Sequence, residues 1–334
     1  MIRGLVVGKF APLHRGHALL VSTALSQCDE LLILSYTSQV LHRCDADRRR
    51  RWLEKSFPTA RIVVIDDQAP KPDDASEDEV QRAFVAALLS ELHFIPTLVF
   101  SSEAYGAPFA QYLSRAFSQP VGHVSVDQSR ARIPVSATAI RANIHAMREW
   151  LAPHVYADFV ERIAFLGAES TGKTTLGKWL AQARGTHYVP EYGRAVWEAN
   201  KGVLRFPDLL RIAQGQVERE DQLALSANGY LVCDTSPLTT LFYCLNYFES
   251  ADQQLVDLAA RSYDHCVLLM PDFALVQDGT RQDEAFRQAQ HRWYLRELQE
   301  RGISYTAIAG DLGERQRLLS CAFPPWMGPD LHKG

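Results

Sequence analysis

A phosphate-binding loop is the sequence feature that most constrains the fold of this chain. Residues 167–174 read Gly-Ala-Glu-Ser-Thr-Gly-Lys-Thr and fit the pattern G-x-x-x-x-G-K-[ST], between an apolar run at 163–166 and a helical pattern that begins at 174. Glycines allow backbone N–H groups to turn toward an anion, and the helix N-terminus adds partial positive charge. The carboxyl half of the chain is therefore predicted to be a parallel α/β nucleotide-binding domain.

The residues of this loop have predicted roles in binding ATP. Lys173 would reach the β- and γ-phosphates, and the Thr174 hydroxyl would bind Mg²⁺. The predicted ATP ligands of the loop are Gly167, Glu169, Ser170, Thr171, Gly172, Lys173, Thr174 and Thr175. A loop of this kind also needs a carboxylate at the end of a neighbouring buried strand, and Asp234 ends the apolar run 230–233. Asp234 is the second predicted Mg²⁺ ligand, and capping of the helix that starts nearby is its alternative role.

A lid is predicted at residues 278–281, which read Asp-Gly-Thr-Arg. Arg281, together with Arg287, would be brought over the transferring phosphate of ATP. Arginine suits this task because its planar donors can pair with two phosphate oxygens at once. A surface turn with solvated arginines is the alternative interpretation.

The segment Glu191-Tyr192-Gly193-Arg194 follows the second strand pattern of this half, where a phosphate acceptor would lie. Glu191 would orient or deprotonate an attacking hydroxyl, and Arg194 would hold charge nearby. Tyr192 is a predicted substrate contact, since it or Trp197 could stack on an aromatic ring. An ordinary glutamate at a helix start and aromatic residues of the core are the alternatives.

A pair of histidines marks the amino half of the chain. Residues 8–17, Gly-Lys-Phe-Ala-Pro-Leu-His-Arg-Gly-His, close the first strand pattern and open the first helix. His14 and His17 could donate hydrogen bonds to phosphate oxygens that gain charge as an α-phosphate is attacked. A zinc site and a purely structural pair are alternatives, although no third ligand stands at zinc spacing. Further along, Ser136, Thr138 and Arg141 form an N-cap pattern at the start of a helix predicted over 137–147. These residues could be a second clamp on a triphosphate.

The length and charge of the chain limit its organisation and partners. With 334 residues and α/β patterns that restart after residue 148, two domains are predicted, at 1–157 and 158–334. The 35 basic and 39 acidic residues give a net charge of −4, which argues against nucleic acid as a partner. The apolar runs are too short for a membrane helix, and the isolated cysteines are typical of a reducing, cytoplasmic location.

Taken together, these motifs resemble a known family. The pair K-F-x-P-x-H-x-G-H and V-S-A-T-x-I-R resembles the nucleotidylyltransferase superfamily. With P-E-Y-G-R, C-D-T, P-L-T-T and D-G-x-R in the second half, residues 3–320 resemble the NadR family, which joins nicotinamide mononucleotide adenylyltransferase to ribosylnicotinamide kinase. The resemblance implies a Rossmann-like nucleotidylyltransferase domain followed by a P-loop kinase domain.

The resemblance also implies substrates and further site residues. The expected partners are ATP with Mg²⁺, ribosylnicotinamide, nicotinamide mononucleotide (NMN) and NAD, and a homo-oligomer is left open. His14 and His17 would bind the triphosphate with the help of Lys9, Phe10, Ser136, Thr138 and Arg141. The positions expected around the mononucleotide or adenine are Asp47, Arg48, Trp52, Ser102, Glu103, Asp127 and Arg130. Some family members carry an amino-terminal helix-turn-helix, which we expect this chain to lack.

Three other functions share part of this pattern, and a sulfate-activating sulfurylase and kinase pair fits it least. A coenzyme A synthase-like pair, phosphopantetheine adenylyltransferase with dephospho-coenzyme A kinase, has both generic motifs. The segment 191–194, the domain order and Ser101-Ser102-Glu103 favour the pyridine nucleotide interpretation. A nucleotide-sensing regulator without turnover is the alternative from another class, and Lys173, His14 and His17 weigh against it.

Overall fold

The chain divides into two compact units, Met1–Asp158 and Phe159–Gly334. The computed structural model describes residues 1–274 and 283–326. Each unit contains one parallel sheet flanked by helices, so the predicted class of two tandem parallel-sheet α/β domains is confirmed. None of the helices in the described ranges is long and apolar enough to cross a membrane.

The first unit has five parallel strands in the order β3-β2-β1-β4-β5, all within the described residues. Their bounds are β1 Arg3–Gly8, β2 Glu30–Ser35, β3 Arg61–Val64, β4 Leu98–Ser101 and β5 Gly122–Ser125. The helices are α1 Arg15–Leu25, α2 Ala46–Ser56, α3 Asp78–Glu91, α4 Gly106–Phe117, α5 Ala137–Ala142 and α6 Pro153–Tyr156, with a 3₁₀ turn at Arg148–Trp150. The inner strands β1, β2 and β4 carry continuous buried apolar runs, as expected where helices cover both faces of a parallel sheet.

The order of these strands positions a ligand site. From β1 the chain proceeds to β2 and β3 on one side, and β4 and β5 are added on the other. Ligands of open α/β sheets bind where the order reverses, beyond the carboxyl ends of the strands. That point lies beyond β1 and β4, where residues 9–17 begin.

The second unit has five parallel strands in the order β10-β9-β6-β8-β7 within its described residues. Their bounds are β6 Glu161–Gly167, β7 His187–Val189, β8 Tyr230–Asp234, β9 His265–Leu269 and β10 Thr306–Ile308. The helices are α7 Lys173–Ala183, α8 Tyr192–Ala199, α9 Phe206–Ala224, α10 Pro237–Phe248, α11 Gln253–Ala259, α12 Glu284–Glu300 and α13 Leu312–Ala322. Buried clusters on the two faces of the sheet, around Leu166 and Phe165, form its core.

The structure differs from the sequence patterns at two helices. The helix predicted over 137–147 ends at Ala142, because the Asn143 side chain accepts a hydrogen bond from the Ala146 N–H and so competes with helical pairing. Helix α8 was predicted only through the alternative interpretation of Glu191 as a glutamate at a helix start, since its eight residues are few for a periodic pattern and include Gly193. Both differences lie close to candidate sites.

Candidate active sites

The phosphate-binding loop of the second unit joins β6 to α7. Gly167 and Gly172 have φ angles of 142° and 85°, which L side chains rarely adopt. A Cβ added to Gly167 would lie 2.8 Å from the Leu269 carbonyl oxygen and 2.9 Å from Thr171 Oγ1. Glycine is therefore needed at 167 for both the backbone conformation and the close approach of β9.

Lys173 lies over this loop. Its Nζ donates to the carbonyl oxygens of Gly167 at 2.8 Å and Ala168 at 2.9 Å. Thr171 Oγ1 donates to the Ala168 carbonyl at 2.8 Å, which closes the turn from within. The lysine charge and the N-terminus of α7 thus meet at one place, as an anion site requires.

Asp234 and Thr174 bring two side-chain oxygens together beside the loop. Thr174 Oγ1 donates to Asp234 Oδ2 at 2.6 Å, and the Tyr188 hydroxyl donates to the same oxygen at 2.5 Å. Asp234 is 1% exposed, and its Oδ1 has no hydrogen-bond partner among the described residues. The cap of α10 is Ser236, whose Oγ accepts from the Leu238 N–H, so Asp234 does not serve as that cap.

These groups fit a magnesium ion. Mg²⁺ prefers oxygen ligands and is usually held by one or two side chains together with substrate phosphates and water. A hydroxyl and a buried carboxylate with one unpartnered oxygen supply such a set at Thr174 and Asp234. No larger cluster of acidic, His or Cys ligands occurs in residues 1–274 or 283–326.

A cavity of about 240 Å³ opens beside the loop, and Glu191 and Arg194 line it. Glu191 precedes α8, but its side chain makes no cap hydrogen bond, so its carboxylate is not used as an ordinary helix cap. Burial raises the pKa of Glu191, although the nearby Lys173 charge opposes this change. A carboxylate with a raised pKa beside phosphate-binding groups is suited to accept a proton.

Aromatic side chains form part of the cavity wall. Trp197, Tyr243 and Tyr247 line it, and the Tyr243 hydroxyl donates to Glu169 Oε1 at 2.9 Å. Tyr192, the predicted substrate contact, is not among the described lining residues. Its ring packs on α9, with the Arg219 guanidinium 4.0 Å from the ring centroid.

Of the two predicted lid arginines, only Arg287 lies within the described residues. Arg281 and residues 278–280 lie outside the described residues. Arg287 is 1% exposed on α12, donates to the Phe273 carbonyl at 2.8 Å and pairs with Glu284 at 3.1 Å. It does not line the cavity, so in the described structure it is a buried arginine and not a solvated one.

Arg315 on α13 is a buried group that sequence reasoning missed. It is 2% exposed and donates to the Thr171 carbonyl at 2.9 Å, the Met270 carbonyl at 2.9 Å and the Gly310 carbonyl at 2.7 Å. It also pairs with Asp272. One guanidinium therefore fastens the phosphate loop to the ends of β9 and β10, and no local motif marks it.

The two histidines of the first unit lie together at the start of α1. His14 is the N-cap, and its Nδ1 accepts from the Gly16 N–H at 3.1 Å and the His17 N–H at 3.3 Å. The rings of His14 and His17 stack with centroids 3.7 Å apart. A Cβ added to Gly16 would lie 2.9 Å from His14 Cε1, so glycine is needed between them.

Both imidazoles are held in the neutral form. Burial, with the charges of Arg130 and Arg141, lowers the pKa of His14 to about 4. Burial and the neighbouring His14 lower the pKa of His17 well below its usual value. Since Nδ1 of His14 accepts backbone hydrogen bonds, its proton lies on Nε2, where it can be donated to a ligand.

A cavity of about 520 Å³ surrounds the histidine pair. The structure brings most of the predicted adenylyltransferase residues to its wall, and these are Lys9, Phe10, His14, His17, Ser102, Glu103, Asp127, Arg130, Ser136, Thr138 and Arg141. Arg141 donates to the Ala11 carbonyl at 2.5 Å and to Thr138 at 3.1 Å, which joins α5 to the histidine loop.

Three of these residues have side chains that are engaged within the protein itself. Phe10 is fully buried, with its ring centroid 5.0 Å from that of His17, so its side chain supports the imidazole. Ser136 Oγ accepts from the Ala139 N–H at 3.2 Å as the N-cap of α5. The Asp127 carboxylate accepts from the Arg132 and Ile133 N–H groups, and these bonds lower its pKa.

Three predicted substrate residues do not reach this cavity. Asp47, Arg48 and Trp52 lie on α2, outside the lining residues. Trp52 is 1% exposed and its indole donates to Asp158 Oδ2 at 2.7 Å, while Arg48 pairs with Asp45 at the start of the helix. Packing of α2 thus gives Trp52 a role in the core of the unit.

The loop before α3 supplies a residue that the sequence analysis missed. Asp74 lines the cavity and pairs with Lys9 Nζ at 2.8 Å. Its carboxylate also accepts from Thr37 Oγ1 at 2.7 Å and the Ser38 N–H at 2.9 Å. Burial raises its pKa, but these hydrogen bonds outweigh burial and lower it overall. Asp74 therefore fixes Lys9 at the cavity mouth.

Comparison with known proteins assigns each unit to a family. Residues 5–143 match the cytidylyltransferase-like family, and residues 162–315 match the AAA domain. Two crystal structures described as NadR protein, one in complex with NR and one with NAD and AMP-PNP, have the same fold, with TM-scores of 0.74 and 0.72. Each is 21% identical to this chain and covers 99% or more of it, and 98% of each of those chains is matched.

Sequence relatives extend over most of the chain. The trifunctional NAD biosynthesis/regulator protein NadR of Salmonella typhimurium is 30% identical over 91% of this chain and 78% of its own length. The Escherichia coli protein of the same name is 31% identical over 83% of this chain and 71% of its own. The nicotinamide-nucleotide adenylyltransferase of Pyrococcus horikoshii is 25% identical, over 58% of this chain and all of its own length. The matches to the two NadR proteins include both nucleotide-binding units of this chain. The chain therefore belongs to the NadR family.

Proposed function

We propose that this chain is a bifunctional NAD salvage enzyme. Its second unit transfers the γ-phosphate of ATP to the 5′-hydroxyl of ribosylnicotinamide, which gives NMN. Its first unit joins NMN to the adenylyl group of a second ATP, which gives NAD and pyrophosphate. The observation that carries this proposal is that one chain of the NadR family holds both a phosphate loop with its oxygen ligands and a stacked histidine pair.

In the kinase unit, the acceptor hydroxyl would lie in the cavity between Glu191 and the phosphate loop. Glu191 accepts the proton of the hydroxyl, which its raised pKa favours, and Lys173 neutralises charge on the β- and γ-phosphates. Arg194 adds positive charge from the same wall. The pyridine ring packs against Trp197, the one of the two predicted stacking residues that is among the described lining of the cavity.

Thr174 and Asp234 would hold the magnesium ion that accompanies ATP. A bound Mg²⁺ neutralises phosphate charge and fixes the geometry of the triphosphate. Tyr188 orients the Asp234 carboxylate by donating to its Oδ2. The other oxygen, Oδ1, has no partner among the described residues and would be available to the ion. In-line transfer then needs mainly position and electrostatic stabilisation.

In the adenylyltransferase unit, the histidines act as neutral donors. Their low pKa values keep them uncharged at neutral pH, and the proton on His14 Nε2 is available to an α-phosphate oxygen. Positive charge comes instead from Lys9, Arg130 and Arg141 at the cavity wall. The NMN phosphate attacks the α-phosphorus, and pyrophosphate leaves, so no covalent enzyme intermediate is required.

The test is incubation of the full-length protein with MgATP and ribosylnicotinamide, followed by chromatography of the products. We expect NMN to form first and NAD to follow, with ATP consumed for both steps. Phosphopantetheine and dephospho-coenzyme A are the matched substrates for the coenzyme A alternative. Turnover of those two compounds without any pyridine product would refute the proposal, and so would binding of ATP without turnover of any substrate.

A further inference from the structure

The first turn of α8 carries Glu191 and Arg194 but has no cap of its own. The N–H groups at a helix N-terminus need acceptors from outside the helix, usually the N-cap side chain. Glu191 occupies the N-cap position, and its side chain makes no such bond. The Tyr192 N–H donates instead to Gln216 Oε1, at 3.0 Å, on the neighbouring helix α9. The amide of Gln216 thus supplies an acceptor from outside the helix for the first N–H group of α8, while the Glu191 carboxylate makes no capping bond.

The orientation of the Gln216 amide is set by Glu220, one helical turn further along α9. Gln216 Nε2 donates to Glu220 Oε1 at 3.3 Å, and the two residues are 2% and 0% exposed. The Tyr263 hydroxyl and Arg261 also approach the Glu220 carboxylate, at 2.9 and 3.4 Å. An ionised carboxylate can only accept hydrogen bonds, so the NH₂ group of Gln216 faces Glu220 and its oxygen faces Tyr192.

A second set of contacts holds the same turn against α9. A Cβ added to Gly215 would lie 2.1 Å from Tyr192 Cε1, so the ring rests directly on the α9 backbone. The Arg219 guanidinium covers the ring at 4.0 Å from its centroid. Residues 215, 216, 219 and 220 therefore form one face of α9 that receives the start of α8. Gln216 is the member of this face that also lines the kinase cavity.

We propose that Gln216 is a positioning residue for the kinase reaction: by holding the first turn of α8, it keeps Glu191 and Arg194 directed at the acceptor hydroxyl. This inference rests on the proposed kinase function. Its physical basis is that a displacement of about 1 Å in a reacting group can reduce the rate ~100-fold. Glu220 contributes by fixing the amide of Gln216, and it is not among the described residues that line the kinase cavity.

The experiment compares four full-length variants at pH 8, where the Glu220 carboxylate is mainly ionised because burial, opposed by Arg261, raises its pKa only to about 7. Gln216→Leu removes both hydrogen bonds and places an apolar side chain of roughly similar size at the same position. Gln214→Leu is the matched control, since Gln214 is exposed on the same helix. The double variant Gln216→Glu with Glu220→Gln exchanges the amide and the carboxylate, so that both hydrogen bonds can form again.

We expect Gln216→Leu to lower kinase kcat about 10- to 100-fold, with the KM for MgATP changed less than about two-fold. Gln214→Leu should match wild type, and adenylyltransferase activity should be unchanged in every variant. The single substitution Gln216→Glu places two buried carboxylates together, which should lower kcat. The double variant with Glu220→Gln should have a kcat at least about ten-fold higher than that of Gln216→Glu. A direct substrate contact by the amide of Gln216 would not be rescued by this exchange.

Hydrogen–deuterium exchange of residues 192–199 supplies a readout that needs no substrate. We expect faster exchange in Gln216→Leu and wild-type protection in Gln214→Leu. The proposal would be overturned by unchanged protection in Gln216→Leu, by an unchanged kcat in Gln216→Leu, or by a double variant no more active than Gln216→Glu. Failure of the wild-type protein to phosphorylate ribosylnicotinamide would instead refute the proposed function, because the deuterium exchange rates test the contact between Gln216 and α8 without substrate. If Gln216→Leu does not fold, the double variant and the single variant Gln216→Glu still decide the question.

Discussion

The buried histidine at the N-cap of α1 should make the first unit sensitive to acid. In the folded chain the pKa of His14 is lowered to about 4, chiefly by burial, whereas an unfolded histidine has a pKa near ~6.5. Between these values the unfolded state binds more protons, so stability falls as the pH falls. Above about pH 6.5 this loss is absent.

The size of the effect follows from the two pKa values. At ~1.36 kcal/mol per pKa unit, His14 alone contributes a loss of ~3 kcal/mol once the pH is below both values. By pH 5 about 2 kcal/mol of this is already lost, relative to pH 8. Because His14 is only 7% exposed, solvent screening reduces these figures little.

The perturbation is His14→Asn. Asparagine is among the preferred N-cap residues, and its oxygen can accept from the Gly16 and His17 N–H groups as His14 Nδ1 does. The variant thus keeps the cap and removes one titrating group. We expect the free energy of unfolding of wild type, minus that of the variant, to fall by about 2 kcal/mol from pH 8 to pH 5.

The assay is urea unfolding of the full-length chain, equilibrated at each pH and then labelled by a brief deuterium pulse at one fixed pH. Peptides from residues 3–25 report the first unit separately from the second. His93→Asn is the matched control, because His93 is exposed and asparagine tolerates its φ of 53°. A parallel loss of stability in wild type and His14→Asn would contradict this prediction, because His14 would then not be the buried neutral group that the structure describes.

Three further predictions concern the two sites. Lys173→Ala should abolish phosphorylation of ribosylnicotinamide and spare NAD formation from NMN, while His17→Ala should do the reverse, with a loss of ~10²–10³ in kcat; loss of both activities in either folded variant would contradict two independent sites. Tyr188→Phe should raise the Mg²⁺ concentration for half-maximal kinase activity ~10-fold, and an unchanged titration would exclude its orienting role. Residues 1–158 and 159–334, expressed separately, should each show native circular dichroism; two unfolded products would show that the division is wrong.

The sequence predicted the elements and loops of both units because these depend on local properties of the chain. Glycine at 167 is required by the φ of that residue, and the apolar run before it is required by a strand covered on both faces. The histidine motif likewise encodes its own geometry. His14 is the N-cap of α1, His17 lies in the first turn of that helix, and Gly16 leaves room for the His14 ring. Such features follow from neighbours within about ten residues.

The outcome was different where a side chain's environment comes from distant parts of the chain. Tyr192 and Trp197 lie on the same short helix, and packing against α9 directs the first into the fold while the second lines the cavity. The sequence pattern could not distinguish them, because periodicity shows that a face is apolar without showing what it meets. Trp52, a predicted substrate contact, is likewise buried, and its indole donates to Asp158.

The two α/β units, their nucleotide loops and the residue types that bind phosphate follow from local sequence alone. Which charges support those loops depends on how the folded chain packs. Arg315 reaches the carbonyl of Thr171 across 144 positions of sequence, and Asp74 reaches Lys9 from a loop with no pattern of its own. A buried charge must find partners wherever the packed chain places them, since leaving it unpaired is costly, and that placement is set by how the whole sheet and its helices assemble.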